Sequence, residues 1–415
     1  MLLITGLRQI LTFKGPNSPR TGSLMNNIGL IDNGAILIED DKIIDIGKEK
    51  EILKNPKFRK AKHINIKGVA LPGFVDSHTH SVFTHPRLKD FSMRICGKTY
   101  EDIKKAGGGI VSSINSIRKT GLIELEKDLV EKADKFLKYG TTTIEVKSGY
   151  GLNFESEVKI LKAVKNASKK TSLKMIPTFL GAHTIPPEFV GNSKKYLHYL
   201  INEILPYISK NKLAVFSDIF CEKGYFTPEQ SRFYLKKAKD SGLLPKIHAE
   251  QFSRFGGAAA GCFEGAVSID HADYVNSSDM SLMKKTGAVA VLLPASNYFL
   301  GLKKYPPARQ LIDAGVPVAL ATDFNPGTSP CWNMQFVLSL ACTQMKMTPE
   351  EALCGATING ACALKLQDRV GSLEPGKQAD IAIFDSRDYK EICYYFGANL
   401  NKMTIKKGKI VYKKL

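Results

Sequence analysis

Five of the eight histidines in this 415-residue chain fall at the ends of short apolar runs: His78, His80, His183, His248 and His271. A neutral imidazole can ligate a metal or exchange a proton near pH 7. In an extended segment residues i and i+2 share a face, so His78-Thr-His80 projects both rings to one side. Two imidazoles on one side make a partial shell for zinc or ferrous iron. Alone that pair is a weak motif; it gains weight from the apolar run Leu71-Pro-Gly-Phe-Val-Asp76 before it. His248 closes Pro245-Lys-Ile-His248, and Asp323 closes Val318-Ala-Leu-Ala-Thr-Asp323. A third imidazole and a carboxylate would complete four protein ligands and leave a position for water. Asp323 also reads as a helix N-cap, because Asn325-Pro326 follows it. Tyr150 and Glu222 stand at two further run ends. The glycines of Ser148-Gly-Tyr-Gly151 permit a sharp turn that could aim the Tyr150 ring, although a lone tyrosine more often packs.

The elements that must position these residues have two rhythms. Eight apolar runs, each followed by a helical stretch, occupy the middle: Val69–Val75, Thr141–Val146, Leu173–Phe179, Phe216–Phe220, Pro245–Ile247, Ala266–Ile269, Ala288–Leu293 and Pro317–Ala321. That is the pattern of a parallel sheet with crossover helices. Eight runs fit a closed (β/α)8 TIM-like barrel, while the pattern alone also fits an open doubly wound sheet. The gathering of chemical side chains at the run ends favours the barrel, whose strand ends converge on one mouth. Both termini are β-rich instead. Gly34–Glu39 and Lys42–Gly47 near the start read as strands, and Gly371–Phe384 and Met403–Tyr412 near the end repeat the alternation of short β-rich runs with turns. The expected organisation is α/β: a barrel over residues 71–368 and a smaller discontinuous β-sandwich domain from residues 1–70 and 369–415.

Bulk composition excludes several classes. Hydrophobic residues make up 43% and charged residues 24%, as in ordinary globular proteins, and no apolar stretch approaches a membrane span. Met1–Arg8 reads as a first strand and not a signal peptide. The eight cysteines form no Cys-x-x-Cys pair and read as reduced core residues, which predicts a cytoplasmic protein. The net charge of +19 comes mostly from lysines spread along helical stretches, without an interleaved aromatic platform. A solvated basic surface is therefore expected, not a nucleic-acid interface.

Five segments carry a resemblance: Pro72-Gly-Phe-Val-Asp-Ser-His-Thr-His80, Gly107-Gly-Gly-Ile110, Thr141-Thr-Thr-Ile-Glu-Val-Lys-Ser-Gly-Tyr-Gly-Leu152, Phe179-Leu-Gly-Ala-His183 and Ala321-Thr-Asp-Phe-Asn-Pro-Gly-Thr328. On these the chain resembles the amidohydrolase superfamily and, along nearly its whole length, the imidazolonepropionase family within it. The resemblance implies ring opening of 4-imidazolone-5-propanoate by water to N-formimidoyl-L-glutamate, in histidine breakdown. Another cyclic-amide hydrolase or a deaminase on the same scaffold is the alternative. It implies one zinc or iron ion held by His78, His80, His248 and Asp323, and a homodimer. It further implies substrate contacts from Arg87, Tyr150, His183, Gln251, Asn325, Gly327 and Thr328, and proton traffic through Asp323 and His271. An arginine fork suits the propanoate carboxylate. The roles of His183 and His271, one on the substrate and one on the water, are interchangeable at this level.

Three departures accompany the resemblance. Members with two metals carry a carboxylated lysine at the end of strand four, whereas Phe216-Ser-Asp-Ile-Phe-Cys-Glu222 has none, so a mononuclear site is expected. Lys147 reads as structural or ion-paired. Gln251 stands where many members have glutamate, and His85-Pro86 replaces a glycine pair before Arg87.

Overall fold

The computed structural model describes residues 1–414; Leu415, the last residue of the expected C-terminal β-rich part, lies outside the described residues. From the N-terminus the chain forms strands β1 (Leu2–Leu11), β2 (Leu30–Glu39), β3 (Lys42–Lys48) and β4 (Lys62–Pro72). Next come β5 (Phe74–Asp76), β6 (Thr141–Lys147), β7 (Lys174–Ala182), β8 (Phe216–Cys221), β9 (Leu244–Pro245), β10 (Ile247–Ala249), β11 (Ser268–His271), β12 (Val289–Leu292) and β13 (Val318–Leu320). The chain closes with β14 (Ile381–Phe384), β15 (Asn401–Lys406) and β16 (Lys409–Lys413).

Both termini build one seven-stranded sheet in the order β16-β15-β14-β4-β1-β2-β3. Its seam is β14 against β4, where Ile381 pairs with Pro72 and Phe384 with Val69. Alternating residues bury one face around Ile4, Ile10, Ile36, Ile381 and Ile405. The β-rich stretch Met403–Tyr412 falls in a hairpin, with β15 and β16 paired antiparallel. Val69–Val75 is divided: Val69–Pro72 stays in the terminal sheet, and the first barrel strand starts only at Phe74. Pro72 has no N–H to continue a ladder. A Cβ on Gly73 would come within 2.2 Å of the Thr142 side chain, so the backbone crosses between sheets where only glycine fits.

The remaining strands run parallel in the order β5-β6-β7-β8-β10-β11-β12-β13, with β9 paired to β8. The ring closes at the mouth: Thr79 bridges Phe324, the His80 N–H donates to Phe324 O at 2.9 Å, and the Asp323 N–H donates to His78 O at 3.1 Å. Asp76 adds to the closure by accepting the Thr322 N–H and hydroxyl at 3.0 and 2.6 Å. Val75, Ile176, Phe216, Val267 and Leu364 form an apolar cluster at the opposite end. Among the described residues no helix is long and apolar enough to cross a membrane. All eight cysteines are free; five are buried, Cys331 and Cys342 are half-buried, and Cys96 is exposed, outside the core position expected of it.

Candidate active site

The closing seam puts the chemistry in place. Beyond β5 the Thr79 bridge keeps the chain extended, so His78 and His80 turn to the same interior face, their Nε2 atoms 3.2 Å apart. His248 on β10 brings its Nε2 to 3.3 Å from that of His80. Asp323 turns in with a left-handed φ of +53°, placing Oδ1 3.5 Å from His78 Nε2 and 3.6 Å from His80 Nε2. Ligand atoms about 2.0–2.2 Å from a tetrahedral metal lie roughly 3.3–3.6 Å from one another. His78, His80 and Asp323 thus fit one ion of that size, with His248 adjoining them through His80. Asp323 caps no helix; the next helix, Met334–Met345, is capped by Asn333.

Burial sets the charges. It drives His78, His80 and His248 well below the usual histidine pKa, His183 to about 4 and His271 to about 3. Neutral rings keep the lone pair that a metal needs. Burial also pushes Asp323 far toward the protonated acid, so its ionised form calls for a cation at Oδ1. Behind the rings stand carboxylates: Asp270 Oδ2 is 2.6 Å from His78 Nδ1, and Asp218 Oδ2 is 2.9 Å from His248 Nδ1. A carboxylate on the far nitrogen fixes an imidazole's tautomer and raises its basicity as a ligand.

A cavity of about 690 Å³ opens over the cluster, lined by His80, Tyr150, His183, His248, His271 and Asp323 together with Arg87, Gln251, Asn325, Gly327 and Thr328. Of the candidate site residues two do not line it: His78, which lies against His80 beneath the lining, and Glu222, which works behind the wall. Its carboxylate accepts the Phe252 N–H at 2.9 Å and the Ser253 N–H at 3.2 Å, anchoring the loop that carries Gln251. His183 stacks on His80 with centroids 5.1 Å apart, and its Nδ1 lies 3.0 Å from Gly149 O. A carbonyl can only accept, so Nδ1 carries the proton and Nε2 is left as an acceptor. Asn325 folds its own loop, its Oδ1 accepting the N–H groups of Gly327 at 2.8 Å and Thr328 at 2.7 Å. Arg87 donates from Nε to Ser113 Oγ at 2.9 Å. A Cβ on Gly327 would come within 2.5 Å of Arg87 Nη1, so that glycine makes room for the guanidinium.

The sequence profile of the amidohydrolase family matches residues 69–411. Imidazolonepropionase from Geobacillus kaustophilus is 42% identical over 414 residues, 99% of this chain and 97% of that protein. The chain belongs to the imidazolonepropionase family of amidohydrolases. A second family member, from Alkaliphilus metalliredigens, is 41% identical over 100% of this chain and 98% of its own length. The fold is shared more widely. E. coli guanine deaminase superposes with a TM-score of 0.73 at 17% identity, covering 100% of this chain and 99% of that one. The atrazine chlorohydrolase TrzN from Arthrobacter aurescens, complexed with zinc, gives 0.68 at 17% identity, covering 100% of this chain and 95% of that one.

Sequence reasoning passed over several residues of this amidohydrolase site. Arg94 lines the same cavity as Arg87, and its Nη2 donates to Gly327 O at 3.2 Å. Asp218, Lys246 and Asp270 are fully buried beneath the histidines. Their signal was present: charges inside apolar strands, as in Ser-Asp218-Ile, Pro-Lys246-Ile and Ile-Asp270-His, alternate with residues on the other face.

Proposed function

We propose that this chain is an imidazolonepropionase that opens the ring of 4-imidazolone-5-propanoate with water, giving N-formimidoyl-L-glutamate. The observation carrying this reading is that His80, His248 and Asp323 line the same cavity as Arg87, with His78 set against His80 and Asp323. One zinc or iron ion would sit among His78, His80, His248 and Asp323. When bound, it supplies Lewis acidity that makes water nucleophilic near neutral pH and polarises a carbonyl.

The chain's own residues do the rest. Water adds to the ring carbonyl carbon, the ring C–N bond breaks, and one proton moves from the water to the departing nitrogen. Asp323 takes that proton from the water and passes it to the departing nitrogen. In this reading His183 holds the substrate ring and His271 orients the water. What supports it is that Nδ1 of His183 is committed to Gly149 O, which leaves Nε2 as an acceptor for a ring N–H. Arg87 takes the propanoate carboxylate, with Arg94 as a second guanidinium on the same wall. Tyr150, Gln251, Asn325, Gly327 and Thr328 complete the substrate wall. The expected partner is this small anionic imidazolone, not nucleic acid or a membrane, and by family likeness the chain works as a cytoplasmic homodimer.

The experiment is turnover by purified protein of imidazolone propanoate against hydantoins, dihydroorotate and aminopurines, before and after chelation. Activity on the imidazolone alone, lost on chelation and restored by zinc or ferrous iron, is expected. Preferred turnover of an aminopurine would reassign the chain to deamination.

A further inference from the structure

Below the histidines the barrel interior holds Lys147, Lys246, Glu145, Asp218 and Asp270, all fully buried. Lys147 Nζ lies 2.6 Å from Asp218 Oδ2, 2.9 Å from Glu145 Oε2 and 3.3 Å from Asp270 Oδ2. Lys246 Nζ lies 3.0 Å from Glu145 Oε1 and donates to Ser77 O at 3.0 Å. The oxygens that face Lys147 are the same ones that face the metal-site rings: Asp218 Oδ2 toward His248 Nδ1 at 2.9 Å, Asp270 Oδ2 toward His78 Nδ1 at 2.6 Å. One ammonium therefore ties together the two carboxylates that stand behind two imidazoles, one of them hydrogen-bonded to His78. The recess is also acidic enough to hold a cation: ligand atoms of His78, Glu145 and Asp270 lie within 4.8 Å of one another.

We infer that Lys147 is a positioning residue of the metal site, holding Asp218 and Asp270 behind His248 and His78 and filling with its own amine the recess a second divalent ion would take. The inference rests on the metal-dependent reading of the site. Carboxylates behind ligating histidines fix ring orientation, and removing such partners typically weakens metal binding. Without the ammonium, Asp218 would lose its nearest counter-charge and Asp270 would keep only Lys246, 3.7 Å away. A cation drawn from solution is the compensation nearest to hand.

The test compares Lys147→Met with the double variant Lys147→Met/Asp218→Asn, which removes opposite charges together and so spares an orphaned carboxylate. Three quantities are read on folded protein without substrate: zinc affinity by competition with a chromophoric chelator, ions per chain by elemental analysis, and visible absorption of the cobalt(II)-loaded form. Zinc affinity should fall roughly 10–100-fold in the double variant and the cobalt spectrum should change. The single variant should take up a second ion per chain. A folded double variant with wild-type zinc affinity and an unchanged cobalt spectrum, whatever its melting temperature, overturns the inference. If the double variant does not fold, the single Lys147→Met variant carries the same expectation for zinc affinity and the cobalt spectrum, and unchanged values there are equally fatal. Wild type that binds zinc but opens no imidazolone ring would defeat the proposed function while leaving this inference intact.

Discussion

The carboxylate of Glu157 and the ring of Tyr150 are joined through backbone. Glu157, on the helix Phe154–Lys170, accepts the N–H of Gly149 at 3.1 Å and those of Gly151 and Leu152 at 2.8 and 2.9 Å, bracketing Tyr150 on both sides. Gly149 has φ +105°, and a Cβ there would lie 2.8 Å from Leu180 O. The loop that aims Tyr150 into the cavity is thus shaped by one glycine and held by one carboxylate. Glu157→Gln keeps the shape but turns an N–H2 toward backbone N–H groups. The expected outcome is a loss of about tenfold in kcat/KM, near 1.4 kcal/mol, carried mainly by KM and with the fold retained. Steady-state kinetics beside a thermal melt check it, and unchanged KM would detach Tyr150 from the substrate.

Arg87 uses Nε on Ser113 and turns Nη1 toward Gly327 in the cavity wall. Arg87→Lys keeps a charge and loses the planar fork, so KM should rise more than kcat falls. Gly327→Ala should act in the same direction, because its methyl group claims the space of the guanidinium. Inhibition by a carboxylate-bearing imidazole, compared with its neutral amide, separates the two explanations for a higher KM. Loss of discrimination between them is expected; retained discrimination places the carboxylate elsewhere.

Asp273 is 2% exposed and pushed by burial up to about 7, with the Asn297 amide donating to one oxygen. The folded state therefore holds this proton more tightly than the unfolded chain, whose carboxyl titrates near 3.8. Below that pH the group costs nothing; as pH rises to about 7 stability is lost, and above it the penalty is complete. Asp273→Asn removes the charge and keeps an acceptor for Asn297. Its stability relative to wild type should grow between pH 4 and 7, by an amount on the order of a few kcal/mol, and then level off. Denaturant melts of both proteins across pH 4–8 measure it, and a pH-independent difference contradicts it.

The strand-end residues were legible because a barrel turns a one-dimensional regularity, a polar residue at the close of each apolar run, into a single mouth. His248 and His271 are far apart in sequence yet neighbours here because β10 and β11 are adjacent strands. The ionic layer beneath was less legible. Lys147 reads as ion-paired, but its partners on β6, β8 and β11 depend on strand register, and a one-residue slip would turn each away. Arg94 was hidden differently. It lies on the helix Leu88–Ile95, whose other side leaves Leu88 and Ile95 exposed, so no simple apolar stripe marks which face meets the cavity.

Gln251 and His271 divide the site most sharply. Gln251 is on a loop pinned on both sides, by Glu222 through the Phe252 and Ser253 N–H groups and by Glu250 through those of Gly256 and Ala258, each at 3.0 Å. Its amide has no useful basicity, so its part is to hold the substrate ring. His271 ends β11 with a left-handed φ of +78°, its ring 5.4 Å from that of His248 and 5.6 Å from that of His78. That backbone conformation carries a cost that residues other than glycine rarely accept without a reason. Gln251→Glu should stay within about tenfold of wild type in kcat/KM, a change near 1.4 kcal/mol. His271→Ala should lose on the order of 10²–10⁴, the range for a positioned acid–base group. Both variants are to be measured from pH 6 to 9 with metal content checked, so that a lost ion is not mistaken for lost proton transfer. A wild type near background that Gln251→Glu rescues strongly would move the base to that position and leave His271 with a structural part only.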